Sequence, residues 1–115
     1  MTEASWQPDA GDLVWTDARS TNGPTRIGTR PALVVSSRSF TAHTGLVIVC
    51  PITSRVRPFP TSVLLPPGLP VAGEILTSHI RSIDTLARPV RYAGASIGEA
   101  LADEVRAKLS ALIAI

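Results

Sequence analysis

Two unbroken apolar runs, Ala32-Leu33-Val34-Val35 and Leu46-Val47-Ile48-Val49-Cys50, set the limits on how this chain folds. Runs this short, rich in Val and bounded by turn residues, read as strands buried on both faces. Ten prolines and eight glycines are spread along the 115 residues, which makes turns frequent and the other strands short. A chain of this length suits one domain, residues 1–115, with a modest core.

Around these runs the pattern predicts the following order. Met1 to Gln7 has no sustained periodicity and reads as a loose tail, with Trp6 as the residue that would dock on the body. Asp12 to Asp17 alternates, Leu13 and Trp15 against Asp12 and Thr16, as a half-buried strand does. Ala18 to Thr29 is rich in Arg, Ser, Thr, Asn, Gly and Pro and reads as a long loop, a length that is usually functional or disordered. The first buried strand follows over Pro31–Ser36. Ser37–Thr44 reads as a polar connection with one helical turn around Phe40. The second buried strand covers Gly45–Cys50 and closes in Pro51-Ile52-Thr53-Ser54, with Pro51 marking a margin or bulge.

Shorter strands are expected over Ser62–Leu65 and Gly73–Thr77, the latter continuing to His79 and Ile80. A helical turn is expected over Ser82–Ala87 and an edge strand over Arg88–Tyr92, because Pro89 cannot donate to a ladder. Ser96-Ile97-Gly98-Glu99 has capping-box spacing, and Ile97, Leu101, Val105, Leu109, Leu112 and Ile113 then recur at helical spacing. Many short strands followed by one amphipathic helix predict a mainly β fold, a small, strongly bent sheet or barrel packed by a C-terminal helix.

Composition narrows function mainly by exclusion. Hydrophobic residues make up 44% and charged residues 17%, a globular balance. The net charge of +2 is compatible with a polyanionic partner without requiring one. No signal peptide and no bilayer-length apolar stretch is visible, so a soluble cytoplasmic protein is expected. The single Cys50 excludes a disulfide within the chain and reads as core packing. His43, His79 and Cys50 lack metal-ligand spacing, and no phosphate-binding loop, dinucleotide fingerprint or Gly-x-Ser-x-Gly elbow occurs. Neither a metal site nor a cofactor is expected.

What remains is a set of Arg, hydroxyl and His residues near strand ends. If the two apolar strands are antiparallel neighbours, Arg30 before the first faces Thr53 at the end of the second. A planar guanidinium beside a hydroxyl makes a phosphate clamp. The plainer alternatives are a solvated strand-end charge for Arg30 and a hydroxyl bonding its own backbone for Thr53.

Four blocks in order, Pro8-Asp9-Ala10-Gly11-Asp12-Leu13-Val14-Trp15, Gly28 through Ser36, Val49-Cys50-Pro51-Ile52-Thr53-Ser54 and Arg81-Ser82-Ile83-Asp84 through Arg88, resemble the MazF/PemK toxins of bacterial type II toxin–antitoxin systems. The likeness spans nearly the whole chain. It implies an SH3-like barrel with a C-terminal helix, working as a homodimer. It implies a sequence-specific, metal-independent endoribonuclease that cuts single-stranded RNA, often messenger RNA, inhibiting translation and growth. Cutting proceeds by attack of the ribose 2′-hydroxyl, leaving a 2′,3′-cyclic phosphate and a 5′-hydroxyl. The family's catalytic Arg falls on Arg30 and its catalytic Thr on Thr53, and the implied partner is a cognate antitoxin with an acidic, flexible C-terminal segment.

The chemistry suits these residue types, since a fixed cation and a hydroxyl donor stabilise charge that builds on phosphoryl oxygens. An arginine does not deprotonate and is a poor general base. Some relatives carry an acidic residue where Thr25 stands, and Asp-Gln where Ser78-His79 stands, so an acidic base candidate is missing here. His79 offers a substitute base; its bland alternative is a half-buried strand histidine. His43 reads as exposed. The expected RNA-binding surface is Arg19, Arg26, Ser54, Arg55, Arg57 and Arg81, with Trp15, Phe59 or Tyr92 for base stacking and Trp15 better suited to the core. Two rival readings are a non-catalytic RNA- or peptide-binding module of the same fold, and a gyrase-poisoning toxin. The latter acts through a Trp near the C-terminus, which this chain lacks.

Overall fold

The computed structural model describes residues 6–19 and 26–115, with side chains for 6–17 and 29–115. Seven strands and two α-helices follow one another as β1 (Asp12–Arg19), β2 (Arg26–Val34), α1 (Arg38–Thr44), β3 (Leu46–Thr53), β4 (Ser62–Leu64), β5 (Glu74–Leu76), β6 (Arg81–Asp84), β7 (Val90–Ser96) and α2 (Glu99–Ile113). They form one antiparallel sheet in the order β4-β5-β3-β2-β1-β7, with β6 also paired to β3. β3 therefore serves both halves, which bends the sheet sharply; the path does not close among the described residues. None of the described helices is long and apolar enough to cross a membrane.

The two apolar runs are central strands, as expected, because each faces core on both sides. Leu33, Cys50, Ile52, Ile75 and Val105 lie in one buried cluster, against which Leu101 and Leu109 of α2 pack. Val14, Ala32, Val34, Val47, Val49 and Ile83 form a second cluster on the opposite side of the same strands. Trp15 packs on the helix-side cluster, in line with its expected core role.

Several boundaries differ from expectation, each for a local reason. The segment Ala18–Thr29 is not loop throughout. Asp17 pairs with Thr29, Ala18 with Gly28 and Arg19 with Arg26, so backbone pairing continues the hairpin beyond the apolar residues. The loop positions expected at 20–25, Thr25 included, lie outside the described residues, as does the tail over 1–5. Trp6 is docked, its ring stacked on Tyr92 at 5.4 Å.

The connection after Ser37 is a full short helix, because the Ser37 hydroxyl accepts from the Phe40 N–H at 3.2 Å and Gly45 ends it. Ser82–Ala87 is not a helical turn. Arg81–Asp84 is a strand with Ile83 opposite Val47, and the bend signal belongs to the next residues, where Ala87 N–H donates to the Asp84 carbonyl. The strand expected through Thr77–Ile80 stops at Leu76, and Thr77–His79 is a 3-10 turn. The edge strand runs Val90–Ser96, starting beyond Pro89. Ser96 is not the helix cap: its hydroxyl donates to Asp12 Oδ1 at 2.7 Å, and Gly98 takes the cap position without a side-chain bond.

Cys50 is fully buried in the helix-side cluster, and burial pushes its thiol from 9.0 up to about 11. Desolvation disfavours the thiolate. The unfolded chain thus releases this proton first, so stability falls as pH rises from about 9 to about 11 and is flat in this respect below. A thiol reagent at pH 8 is expected to leave native Cys50 unmodified for hours and to label it at once in denaturant, read by mass spectrometry. Fast native labelling would contradict this burial.

Candidate functional site

The site is a row of residues across neighbouring strands. Thr16 on β1 pairs with Arg30 on β2, and Thr53 on β3 pairs with Glu74 on β5. Between β2 and β3 the register runs Val34–Val49, Leu33–Cys50, Ala32–Pro51. The same register continued by two residues brings Arg30 opposite Thr53. Because paired residues share a face, Thr16, Arg30, Thr53 and Glu74 line one side of the sheet, past the end of the Val34–Val49 core and away from α2.

Arg30 is thus an exposed residue within β2 and not a loop-end charge, as the shorter strand expected from sequence implies. Its backbone is held by the Thr16 hydroxyl, which donates to the Arg30 carbonyl at 3.1 Å. Thr53 ends β3, and its Oγ1 accepts from the Arg55 N–H at 3.1 Å. That bond is the plain turn role, and it uses only an acceptor lone pair. The hydroxyl proton remains available to a ligand oxygen. Glu74 is buried at 4% exposure, and its Oε1 accepts from the Arg57 N–H at 3.1 Å, which ties the loop after β3 to β5.

Beside the row lies a shallow cavity of about 270 Å³, lined by Thr53, Arg55, Arg57, Phe59, Glu74, Leu76, Ser78 and His79. The structure therefore brings Thr53, Arg55, Arg57 and His79 together. His79 is exposed on the 3-10 turn, which excludes the half-buried strand histidine. Arg81 stands on β6 opposite Val49, on the Arg30 side of the sheet but outside the cavity, and exposed Ser54 also lies outside it. Arg19 and Arg26 are backbone partners at the hairpin end, and their side chains lie outside the described residues. His43 is exposed on α1, with its Nδ1 against the Ser39 carbonyl at 2.8 Å. Tyr92 is already stacked on Trp6, which leaves Phe59, 63% exposed at the cavity, as the free ring.

Sequence reasoning missed Glu74. It stands in Gly73-Glu74-Ile75-Leu76, a lone charge in a short apolar strand, and such a charge in a buried strand is the signal that would have found it. The site does hold an acidic residue. Among the described residues no group of three His, Cys, Asp or Glu is placed to hold a metal ion.

The class of protein is thus a small, mainly β domain: an antiparallel sheet packed by a terminal helix, with exposed Arg30 on the face that carries Thr53 and with Arg55 and Arg57 at the cavity beside Thr53. The profile of PemK-like, MazF-like toxins of type II toxin–antitoxin systems matches residues 9–113, and the chain belongs to that family. It is 34% identical over 106 residues to the endoribonuclease toxin MazF of Escherichia coli K12, covering 92% of this chain and 94% of that protein. The MazE–MazF complex of Deinococcus radiodurans (Form-III) is similar in structure, with a TM-score of 0.87 at 39% identity over 96% of this chain and 99% of that one. MazF alone from the same organism (Form-I) gives 0.84 at 39% identity over 96% of this chain and 100% of that one. The family resemblance read from the sequence blocks is thereby confirmed.

Proposed function

We propose that this chain is the endoribonuclease toxin of a type II toxin–antitoxin pair, cutting single-stranded RNA without a metal ion. The observation that carries the reading is the β2–β3 register, which, continued two residues past Ala32–Pro51, puts exposed Arg30 opposite Thr53, the residue that shares its cavity with Arg55 and Arg57. The substrate's 2′-oxygen attacks phosphorus, the bond to the 5′-oxygen breaks, and a 2′,3′-cyclic phosphate and a 5′-hydroxyl result. Negative charge grows on the non-bridging oxygens, where Arg30 offers a bidentate cation and Thr53 a proton donor. One proton must leave the 2′-hydroxyl and one must reach the 5′-oxygen. His79 lines the same cavity as Thr53 and is the group assigned to proton transfer. Arg55, Arg57, Arg81, Ser54 and the Arg19/Arg26 hairpin track neighbouring phosphates. The similarity to a MazE–MazF complex supports a cognate antitoxin as partner. A cytoplasmic homodimer is part of the same proposal.

The purified chain incubated with a long RNA in excess EDTA should give discrete fragments ending in cyclic phosphate. Intact RNA, or cutting only when a divalent ion is restored, would overturn the mechanism.

A further inference from the structure

We propose that the cavity beside Thr53 reads one base adjacent to the cut, and that this base is guanine, held by the Glu74 carboxylate against the Phe59 ring. The inference rests on the endoribonuclease reading for the position of the cut, and on the cavity itself for the base. Sequence-specific RNA recognition targets unstacked bases, which stack on an aromatic ring and hydrogen-bond along the Watson–Crick edge. Both elements are present. Phe59 is a large ring left exposed at the cavity, Leu76 supplies a further apolar wall, and Glu74 is a buried acceptor facing the same space.

The charge of Glu74 selects what part of the RNA it meets. An ionised carboxylate only accepts hydrogen bonds, and it repels phosphate. The segment of RNA that fits against it must present N–H donors, which a sugar–phosphate backbone does not. The guanine Watson–Crick edge carries N1–H and N2–H side by side, matching the two oxygens of a carboxylate. Adenine and cytosine set one amino group beside a ring lone pair, and uracil has a single N–H between two carbonyls; each turns an acceptor toward Glu74. The existing bond from the Arg57 N–H occupies one lone pair of Oε1 and still leaves acceptor sites on both oxygens. Arg55 and Arg57, on the same cavity, offset the carboxylate's repulsion of the flanking phosphates.

A purely structural Glu74 would only fasten the Arg57 backbone, a role that glutamine also fills. Glu74→Gln and specificity therefore separate the two. Cut sites mapped on a long RNA should show guanine fixed on one side of the cut. Inosine at that position, which lacks the 2-amino group, should slow cutting roughly tenfold, and Glu74→Gln should lower the preference for guanine over adenine by roughly ten- to a hundredfold. Phe59→Ala should weaken binding of every base, by roughly tenfold. No guanine beside the cut, no effect of inosine, or an unchanged consensus in Glu74→Gln would overturn the proposal. The inosine arm uses the unaltered chain and holds even where a variant misfolds. In parallel, random 2′-O-methyl RNA, which has no nucleophile, is selected for binding. Guanine enrichment without any cutting of ordinary RNA would sink the endoribonuclease reading and keep the pocket; cutting without enrichment would sink the pocket alone.

Discussion

Arg30→Ala should lower single-turnover RNA cutting by roughly a hundred- to a thousandfold, the usual loss when one fixed donor to a developing oxyanion is removed. Folding should not suffer. Arg30 is exposed, its link to the fold is its backbone carbonyl under the Thr16 hydroxyl, and that bond survives the substitution. Exposed side chains without a structural partner usually change stability by no more than about 0.5 kcal/mol. Arg30→Lys is the informative companion. It keeps the charge and loses the planar fork, so it should recover only part of the rate. Thr53→Val should act like Arg30→Ala, because it removes the free hydroxyl proton, whereas Thr53→Ser should retain most activity. Cutting by Arg30→Ala within about threefold of the unaltered rate would remove Arg30 from the mechanism.

The row that motivates this experiment was legible in part. Arg30 and Thr53 lie at the ends of two apolar runs whose character is plain in Val34-Val35 and Val47-Ile48-Val49, and the antiparallel register of those runs, continued two residues past Ala32–Pro51, puts the two residues opposite each other. Apolar runs announce central strands because burial is written in side chains. The hairpin over Asp17–Arg19 and Arg26–Thr29 pairs through its backbone with no run of apolar residues, which leaves no such mark. The strand Arg81–Asp84 has one buried residue, Ile83, too few for a period to appear. Ser96 has the spacing of a cap, and a tertiary partner 84 residues away, Asp12, takes its hydroxyl instead. Glu74 was missed for the same kind of reason. Its meaning lies in being paired with Thr53 and bonded to Arg57, contacts set by the fold of the sheet and invisible along the chain.

Among the described glycines that fold leaves one tight backbone approach, and it lies at the site. Gly73 precedes Glu74 and lies with its backbone against the end of β3. A Cβ placed on Gly73 would stand 2.1 Å from the Thr53 carbonyl oxygen and 2.8 Å from its carbon. Both are backbone atoms and cannot swing aside. Gly73 also has φ of +132°, a conformation that side-chain-bearing residues rarely adopt. Gly73→Ala therefore meets two penalties, one conformational and one steric, together about 3 kcal/mol or more. For a domain of this size that is a drop in melting temperature of roughly 10 °C or more. Gly68→Ala separates the terms. Gly68 has φ of +96° with nothing within 4 Å of a built Cβ, so it carries the conformational penalty alone, about 1–2 kcal/mol. Thermal melts of the two variants should differ by the steric share. Gly73→Ala should in addition lose RNA cutting at temperatures where it is still folded, because the atom it displaces belongs to Thr53; Gly68→Ala should cut normally. Equal melting temperatures for the two variants would show that β5 moves off Thr53 at little cost. The Thr53–Glu74 pairing would then be too loose to hold the site.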